Sequence, residues 1–182
     1  MTIRISGTKY DISIKPAYAP GEHAAITERT KFWNYLNKTI AKLPHRTYKI
    51  TGIDANGHIG RDPPEPYVGK CGMTRWNTNG TALANLAQAT KLTTTNTMPT
   101  CKESTWTWQH RDGHSRTKID YILIPTFGTS QIINNTGAMN WQEIAKQGTS
   151  IDHRPVGLQL RIETLHCRMQ NNKINKQKDA IN

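Results

Sequence analysis

Two alternating stretches open the chain. Apolar and polar residues alternate over residues 2–6 and 10–15, with Gly7 and Thr8 between them. A period of two is typical of a half-buried strand, and a short glycine-containing gap between two such runs predicts a β-hairpin. Pro16 and Pro20 follow, and we expect the second strand to end at the first of them because proline lacks the backbone donor. Tyr18, between the two prolines, is then predicted to lie after the strand.

Helical and strand patterns alternate along the rest of the chain. Apolar residues recur at spacings of three and four over residues 22–43, which predicts a helix that Pro44 ends. A shorter amphipathic helix is predicted over residues 81–90. The remaining β-prone runs are residues 48–51, 92–96, 105–108, 117–124, 131–137 and 156–162, with a short helix at 141–146. Many strands with a few inserted helices predict an α+β layered fold.

The stretch 48–60 places polar residues directly after a strand. The run 48–51 is predicted to end at Gly52, and Asp54 and Asn56 follow. Polar side chains at the end of a strand lie at the edge of a sheet, where ligands usually bind. Residues two apart point to the same side in extended backbone, so these two would act together. The alternative is a plain polar turn, since Asp, Asn and Gly are the common turn residues.

A second set of polar residues lies near the C-terminus. Asp120 interrupts the β-prone run 117–124, and a carboxylate inside an apolar strand needs a hydrogen-bonding partner. Asp152 and His153 directly precede the last predicted strand. We expect Asp120 and His153 to form a couple in which the carboxylate fixes the imidazole tautomer. Further carboxylate oxygens would suit Mg²⁺. The alternative is that Asp152 is a cap and His153 an ordinary hydrogen-bonded histidine.

The charge balance indicates a polyanionic partner. Lys and Arg number 24 against 13 Asp and Glu, a net charge of +11, which favours nucleic acid over an anionic membrane surface. Trp106 and Trp108 are close to the predicted site, where aromatic rings can stack on bases, although a place in the core is the alternative. Residues 164–182 are predicted to be a basic, disordered tail, which leaves residues 1–163 as one domain.

The sequence lacks the marks of export. The N-terminus has no apolar core of signal-peptide length, and no run approaches the roughly 20 apolar residues of a membrane span. Three widely spaced cysteines, without zinc-binding spacing, are typical of reduced thiols. We therefore expect an intracellular protein of the nucleus or cytoplasm.

Together the motifs resemble a known family. The segments that match are Tyr18-Ala19-Pro20, Ile53-Asp54-Ala55-Asn56, Asn79-Gly80, Thr105-Trp106, Ile119-Asp120-Tyr121 and Ile151-Asp152-His153. In this order they resemble the C-terminal two-thirds of the endonuclease/exonuclease/phosphatase superfamily. Within it the resemblance is closest to endonuclease domains of LINE-type retrotransposons and their craniofacial-development-protein-like relatives.

The resemblance implies a fold and an activity. The fold would be an incomplete four-layer α/β sandwich, with two packed mixed β-sheets flanked by helices and the N-terminal part missing. The activity would be metal-dependent phosphodiester hydrolysis of nuclease type, with Mg²⁺ or alternatively Mn²⁺, acting on DNA or alternatively RNA. The implied roles are His153 as catalytic histidine, Asp120 as its orienting acid, Asp54, Asn56 and Tyr18 on the phosphate, Asp152 at the metal and Trp106 on the substrate.

The chain also departs from that family. Ile53, Ala55 and Ile151 replace the Gly, the aromatic residue and the Ser of the family motifs. The family's first third, which holds an Asn motif and the Glu that is the principal metal ligand, has no counterpart before Tyr18. We therefore expect metal binding to be weak or absent, the activity to be lost or reduced, and apolar surface to be exposed. The alternatives are a non-catalytic nucleic-acid-binding remnant of a retroelement and a phosphatase for a small phosphorylated substrate.

Overall fold

The computed structural model describes residues 2–7, 11–44, 46–60, 67–73, 75–98, 106–138 and 152–161. Within these ranges the helices are α1 (Ile26–Ala41) and α2 (Thr78–Thr90). The strands are β1 (Ile3–Ile5), β2 (Asp11–Tyr18), β3 (Thr47–Asp54), β4 (Leu92–Thr94), β5 (Trp108–Gln109), β6 (Arg116–Thr117), β7 (Asp120–Pro125), β8 (Ile132–Ala138) and β9 (Val156–Leu160). The predicted tail and the predicted helix at 141–146 lie outside the described residues.

Five strands form one mixed sheet in the order β1-β2-β3-β7-β4. β2 and β3 are parallel, and α1 makes the crossover that parallel neighbours require, while the other pairs are antiparallel. β8 and β9 form a separate antiparallel pair, and β5 and β6 form a short hairpin. The α+β class predicted from the sequence is confirmed.

The two faces of the five-stranded sheet pack against different layers. One face packs against the helices through residues such as Leu36, Leu83 and Leu123, all nearly or fully buried. The other face, which includes Tyr48 and Ile124, packs against apolar residues of β8 and β9. Residues alternate between the two faces along each strand because the side-chain period is two. Three of the four expected layers are therefore present in the described part of the chain.

β2 is longer than predicted. It continues through Pro16 to Tyr18, and Pro16 lies opposite Gly52 of β3. The prediction that Pro16 ends the strand was wrong because β1 pairs only with residues 12–14 of β2. Among the described residues no strand pairs with the outer side of β2 beyond that point, so a missing N–H breaks no ladder bond there.

Three other boundaries also differ from the predictions. β3 passes through Gly52 and ends at Asp54, because both flanking strands pair with it there. β7 begins at Asp120, so this residue is the first of the strand and not in its middle. α2 begins at Thr78 because the side chain of Asn77 accepts a hydrogen bond from the backbone N–H of Gly80 and caps the helix.

Apolar side chains are exposed at one edge of the sheet. Ile3 and Ile5 of the edge strand β1 are 45% and 36% exposed. Such an edge strand presents unpaired backbone groups beside apolar side chains, so it can pair with another chain.

Neither of the two described helices has the length and apolar character that crossing a membrane would require.

Candidate active site

Three neighbouring strands bring polar side chains to one level of the sheet. Tyr18 at the end of β2 lies opposite Asp54 at the end of β3, and Asp54 lies opposite Asp120 at the start of β7. By the alternation of the strands, these three side chains share the face that packs against β8 and β9. Further along the same face each strand has apolar residues, among them Ile12 and Ile124. The polar residues are thus the last members of three otherwise apolar rows.

His153 meets Asp120 at this rim. It precedes β9 and is held by a backbone bridge to Trp108. The imidazole Nδ1 lies 3.1 Å and 3.3 Å from the two carboxylate oxygens of Asp120. A carboxylate at Nδ1 favours the tautomer with the hydrogen there, which places the lone pair on Nε2. Nε2 lies 4.0 Å from Oδ2 of Asp54. The predicted Asp120–His153 couple is present, with Asp54 beside it.

Asp54 is fixed by the turn that follows it. Its Oδ1 accepts a hydrogen bond of 2.9 Å from the backbone N–H of Asn56, whose φ of 44° lies in the left-handed region that Asn tolerates. Burial raises the pKa of the Asp54 carboxyl, and the nearby charge of Asp120 raises it further, against the opposing effects of the Asn56 N–H and His153. Asp54 is therefore easier to protonate than an ordinary aspartate.

Asn56, which was predicted to contact phosphate, also makes a hydrogen bond within the protein. Its side-chain Nδ2 donates a hydrogen bond of 2.8 Å to the carbonyl oxygen of Ala19. This bond joins the turn after β3 to the segment after β2, which includes Tyr18. The role of Asn56 in binding phosphate stays a prediction, and so does that of Tyr18, which is 71% exposed at the rim.

An open cavity of about 500 Å³ lies in front of these residues. Its lining includes Gly52, Asp54, Asp120, His153 and Arg154. This volume is within the range of small-molecule sites, roughly 300–1,000 Å³. The cavity gives the three titratable side chains one common access to solvent.

Asp54, Asp120 and His153 could together hold a metal ion. One ligand atom from each lies within 4.8 Å of the others. Asp152, the residue predicted for the metal, is exposed and is not part of this group of described residues. Its metal role stays a prediction. The family resemblance implied that Asp54 contacts the phosphate and that Asp120 orients His153, and it implied a metal role for Asp152 alone.

Two buried polar residues that the sequence did not single out fix the start of β7. The hydroxyl oxygen of Thr107 accepts hydrogen bonds from the backbone N–H groups of Ile119 and Asp120, at 3.0 Å and 3.1 Å. The side-chain Nδ2 of Asn96 donates a hydrogen bond of 2.8 Å to the carbonyl oxygen of Asp120. Both side chains are 1% exposed. The alternation of Thr and Trp over residues 105–108 predicted a strand, but it does not identify the backbone groups that Thr107 contacts.

Asn79 ties the turn after β3 to the helices. Its Oδ1 accepts a hydrogen bond of 3.1 Å from the indole Nε1–H of Trp33 on α1. Its Nδ2 donates to the carbonyl oxygens of Pro20, at 2.8 Å, and Asn56, at 3.3 Å. Its backbone N–H donates to Oε1 of Glu22 at 2.8 Å. The residue is 1% exposed; its bond to Trp33 is fully buried and the other three are partly buried.

Comparison with known sequences gives distant relatives. No protein-family model matches the chain. Craniofacial development protein 2 of Bos taurus is 25% identical over 124 residues, which are 68% of this chain and 21% of that protein. The same protein of Tragulus javanicus is 23% identical over 124 residues, 68% of this chain and 22% of that protein. The chain spans about a fifth of the length of the curated relatives it matches.

Comparison with solved structures identifies the fold. The 3′ phosphatase NExo from Neisseria, bound to a product DNA hairpin, aligns with a TM-score of 0.60 and 12% identity over 88% of this chain and 65% of that one. The endonuclease domain of TRAS1, a telomere-specific non-LTR retrotransposon, aligns with a TM-score of 0.57 and 14% identity over 90% of this chain and 64% of that one. The AP endonuclease LMAP of Leishmania major aligns with a TM-score of 0.56 and 14% identity over 84% of this chain and 51% of that one. The chain has the endonuclease/exonuclease/phosphatase fold, which confirms the resemblance stated from its motifs.

Proposed function

We propose that this chain is a phosphodiesterase of nuclease type whose substrate is DNA. The observation that supports the proposal is the Asp120–His153 couple, which lies beside Asp54 at an open cavity. An oriented histidine beside a second carboxylate is a usual arrangement for moving a proton during hydrolysis. The fold places this arrangement at the rim of a sheet, where a substrate can reach it.

The proposed chemistry assigns one task to each of the three side chains. Asp120 holds Nδ1–H of His153, so Nε2 accepts a proton from the attacking water or interacts with the phosphate. The negative charge of Asp120 then stabilises the imidazolium that forms. Asp54, whose pKa is raised by burial, is suited to positioning the water or handing a proton to the leaving oxygen. Asn56 and Tyr18 border the phosphate from the neighbouring turn.

The charges at the site indicate why a cation belongs to this proposal. Two carboxylates line the cavity, and an anionic phosphate brought towards them is repelled unless a positive charge offsets it. The donors that would hold a divalent ion are oxygens of Asp54 and Asp120 and a nitrogen of His153. The ion would supply positive charge against the negative charge that develops on the phosphate. A mixed nitrogen and oxygen set suits Mn²⁺ better than Mg²⁺, which prefers oxygen ligands.

The geometry allows His153 to be either a base or a ligand. A carboxylate on one ring nitrogen and a metal on the other is a common arrangement, and it would use the same Asp120 contact. Titration calorimetry with Mn²⁺ separates the two roles. Heat that is lost in His153→Ala supports the ligand role. Binding that persists in His153→Ala and is lost in Asp54→Asn supports the base role.

DNA is proposed as the substrate on grounds of charge and fold. The net charge of +11 favours a polyanion over a small phosphorylated molecule. The Neisseria phosphatase, one of the structures with this fold, is bound to a DNA hairpin. RNA and a small phosphate ester are the alternatives, and both can be offered in the same assay.

Nicking of supercoiled plasmid in the presence of Mg²⁺ or Mn²⁺ tests the proposal. We expect His153→Ala to reduce the rate at least tenfold, because removing a positioned proton acceptor typically costs roughly 10²–10⁴ in rate. His110→Ala is the matched control, since His110 also contacts an aspartate, Asp112, but is solvent-exposed on the β5–β6 hairpin. Equal nicking by wild type and His153→Ala would refute the assignment.

The net charge also supports a second candidate, a non-catalytic protein that only binds nucleic acid. It predicts salt-dependent retention of DNA with no turnover under any metal condition. The same preparations serve for both measurements, so one experiment distinguishes the two functions.

A further inference from the structure

Two arginines pack against one tryptophan next to His153. The guanidinium carbon of Arg154 lies 3.5 Å from the centre of the Trp106 ring, and that of Arg116 lies 4.8 Å from it. Both distances are within the roughly 6 Å at which a cation is attracted to an aromatic ring. A guanidinium stacked in this way keeps its N–H groups around the rim of the plane. Trp106 therefore supports two sets of hydrogen-bond donors.

The two guanidinium groups have no counter-charge among the described residues. The ion pairs of the described ranges involve Arg4, Arg29, His110 and His153, and neither Arg116 nor Arg154 has a carboxylate within 4.0 Å. The Nε of Arg154 is buried and has no hydrogen-bond partner in the described part of the chain. Burial and the charge of Arg116 both lower the pKa of Arg154. Two like charges held together in this way are stabilised by an anion.

The pair connects the catalytic cavity to a second cavity. Arg154 lines the cavity that contains Asp54, Asp120 and His153. Arg116 lines a neighbouring cavity of about 380 Å³, together with His58, Arg75, Trp108 and others. Arg75 is exposed there and adds a third positive charge. The two arginines on Trp106 therefore each line one of the two cavities, and Arg75 lines the second as well.

We propose that Arg154, Trp106 and Arg116 form a phosphate clamp that holds the nucleic-acid backbone beside the reacting phosphate, with the strand continuing towards Arg75. The inference rests on the proposed function for the nature of the strand. The clamp recognises phosphate oxygens and no base, so it contributes affinity and register without sequence preference. Trp106, predicted to stack on a base, instead serves here as the platform that orients Arg154.

The position of Arg154 in the sequence, next to His153, indicates what the clamp would do. Arg154 directly follows His153, so a phosphate held by Arg154 fixes the adjoining phosphate against the imidazole. Arginine suits this task better than lysine because its planar group stacks on the indole and still donates two parallel hydrogen bonds. Lysine at position 154 would keep the charge and lose the orientation.

The test measures binding and needs no turnover. A short fluorescein-labelled DNA duplex is titrated with the full chain, and the dissociation constant is followed by fluorescence anisotropy between about 50 and 200 mM salt. We expect Arg154→Gln and Arg116→Gln each to lower the slope of log affinity against log salt by about one, with Kd raised roughly three- to tenfold. Arg154→Lys should keep the slope and still raise Kd.

The matched control is Arg161→Gln, which removes the same charge from an exposed position after the far end of β9. An equal fall in slope for this control would overturn the clamp, because it would show that only bulk charge matters. Urea unfolding of each variant shows whether the fold is intact, and Arg154→Lys tests the clamp if a Gln variant is unstable.

Different results would refute the clamp and the proposed function. Altered salt slopes in the Gln variants, with no nicking by the wild type, would support the clamp and refute the proposal that the chain is a hydrolase. Nicking that depends on His153, with slopes unchanged in both Gln variants, would overturn the clamp and leave the hydrolase in place.

Discussion

Asn79 should be among the most sensitive positions outside the proposed active site. Its side chain makes three buried or partly buried hydrogen bonds, to Trp33, Pro20 and Asn56. Replacing Asn79 by Ala removes all three and leaves the indole N–H of Trp33 and the Pro20 carbonyl without those partners. The bonds connect α1, the segment after β2 and the turn that follows Asp54. The substitution therefore weakens the site as well as the core.

The size of the effect follows from the number of bonds lost. Each buried hydrogen bond contributes a net of about 0.5–1.5 kcal/mol, and an unsatisfied buried group costs about 1–3 kcal/mol. The Asn56 bond, at 3.3 Å, is the weakest of the three. We expect Asn79→Ala to lower the free energy of unfolding by about 2–4 kcal/mol. For a chain of this length that corresponds to a fall in Tm of roughly 5–15 °C.

The measurement is urea unfolding of the full chain, followed by far-ultraviolet circular dichroism and by tryptophan fluorescence. Asn34→Ala is the control, because Asn34 is on the exposed side of α1 and has the same side chain. We expect the control to change stability by less than about 0.5 kcal/mol. A loss below about 1 kcal/mol in Asn79→Ala would refute the reasoning, since it would mean that water replaces these bonds at little cost.

Two further predictions concern the residues around the Asp120–His153 couple. Thr107→Val keeps the shape but removes the acceptor of two backbone N–H groups, so it should cost about 2–3 kcal/mol in urea unfolding. Thr117→Val should be neutral or stabilising, because that buried hydroxyl has no partner among the described residues; equal losses would contradict the assignment. The pKa of Asp54 is raised above its ordinary value of 3.8 in the folded state, chiefly by burial. Protonated Asp54 therefore stabilises the fold below pH 3.8, and this contribution is lost as the pH rises through the raised pKa. Asp54→Asn should therefore gain stability relative to wild type towards neutral pH, and a difference that stays constant with pH would exclude this coupling.

The sequence predicted most of the elements because each has a clear period. The spacing of three and four in α1 and the alternation in β1 and β2 gave the correct element types, and the need of Asp120 for a partner correctly pointed to His153. The sequence could not give strand order, which depends on contacts between distant segments. Pro16 was misread because the lack of a pairing strand on its outer side, among the described residues, becomes visible only once the length of β1 is known.

The parts of the site that escaped prediction share one physical cause. Thr107 and Asn79 act through hydrogen bonds to backbone groups far along the chain, and such bonds leave no periodic trace. The stacking of Trp106 on a base stays a prediction, and its contact with Arg154 was not predicted because it depends on how β5 lies beside the segment before β9. The convergence of Asp54 and Asp120, in contrast, was expected from their positions at strand ends, and it follows from pairing between β3 and β7.

The meeting of apolar rows with polar ends also restricts how the sheet can assemble. If β7 slipped by one residue against β3, the carboxylate of Asp120 would turn into the helix-packed layer and Tyr121 would turn out of it. An ionised group buried there without its imidazole partner would be strongly unfavourable. Misaligned intermediates are thereby penalised by the same acid that we propose orients His153, so one side chain would serve both the proposed chemistry and the strand register.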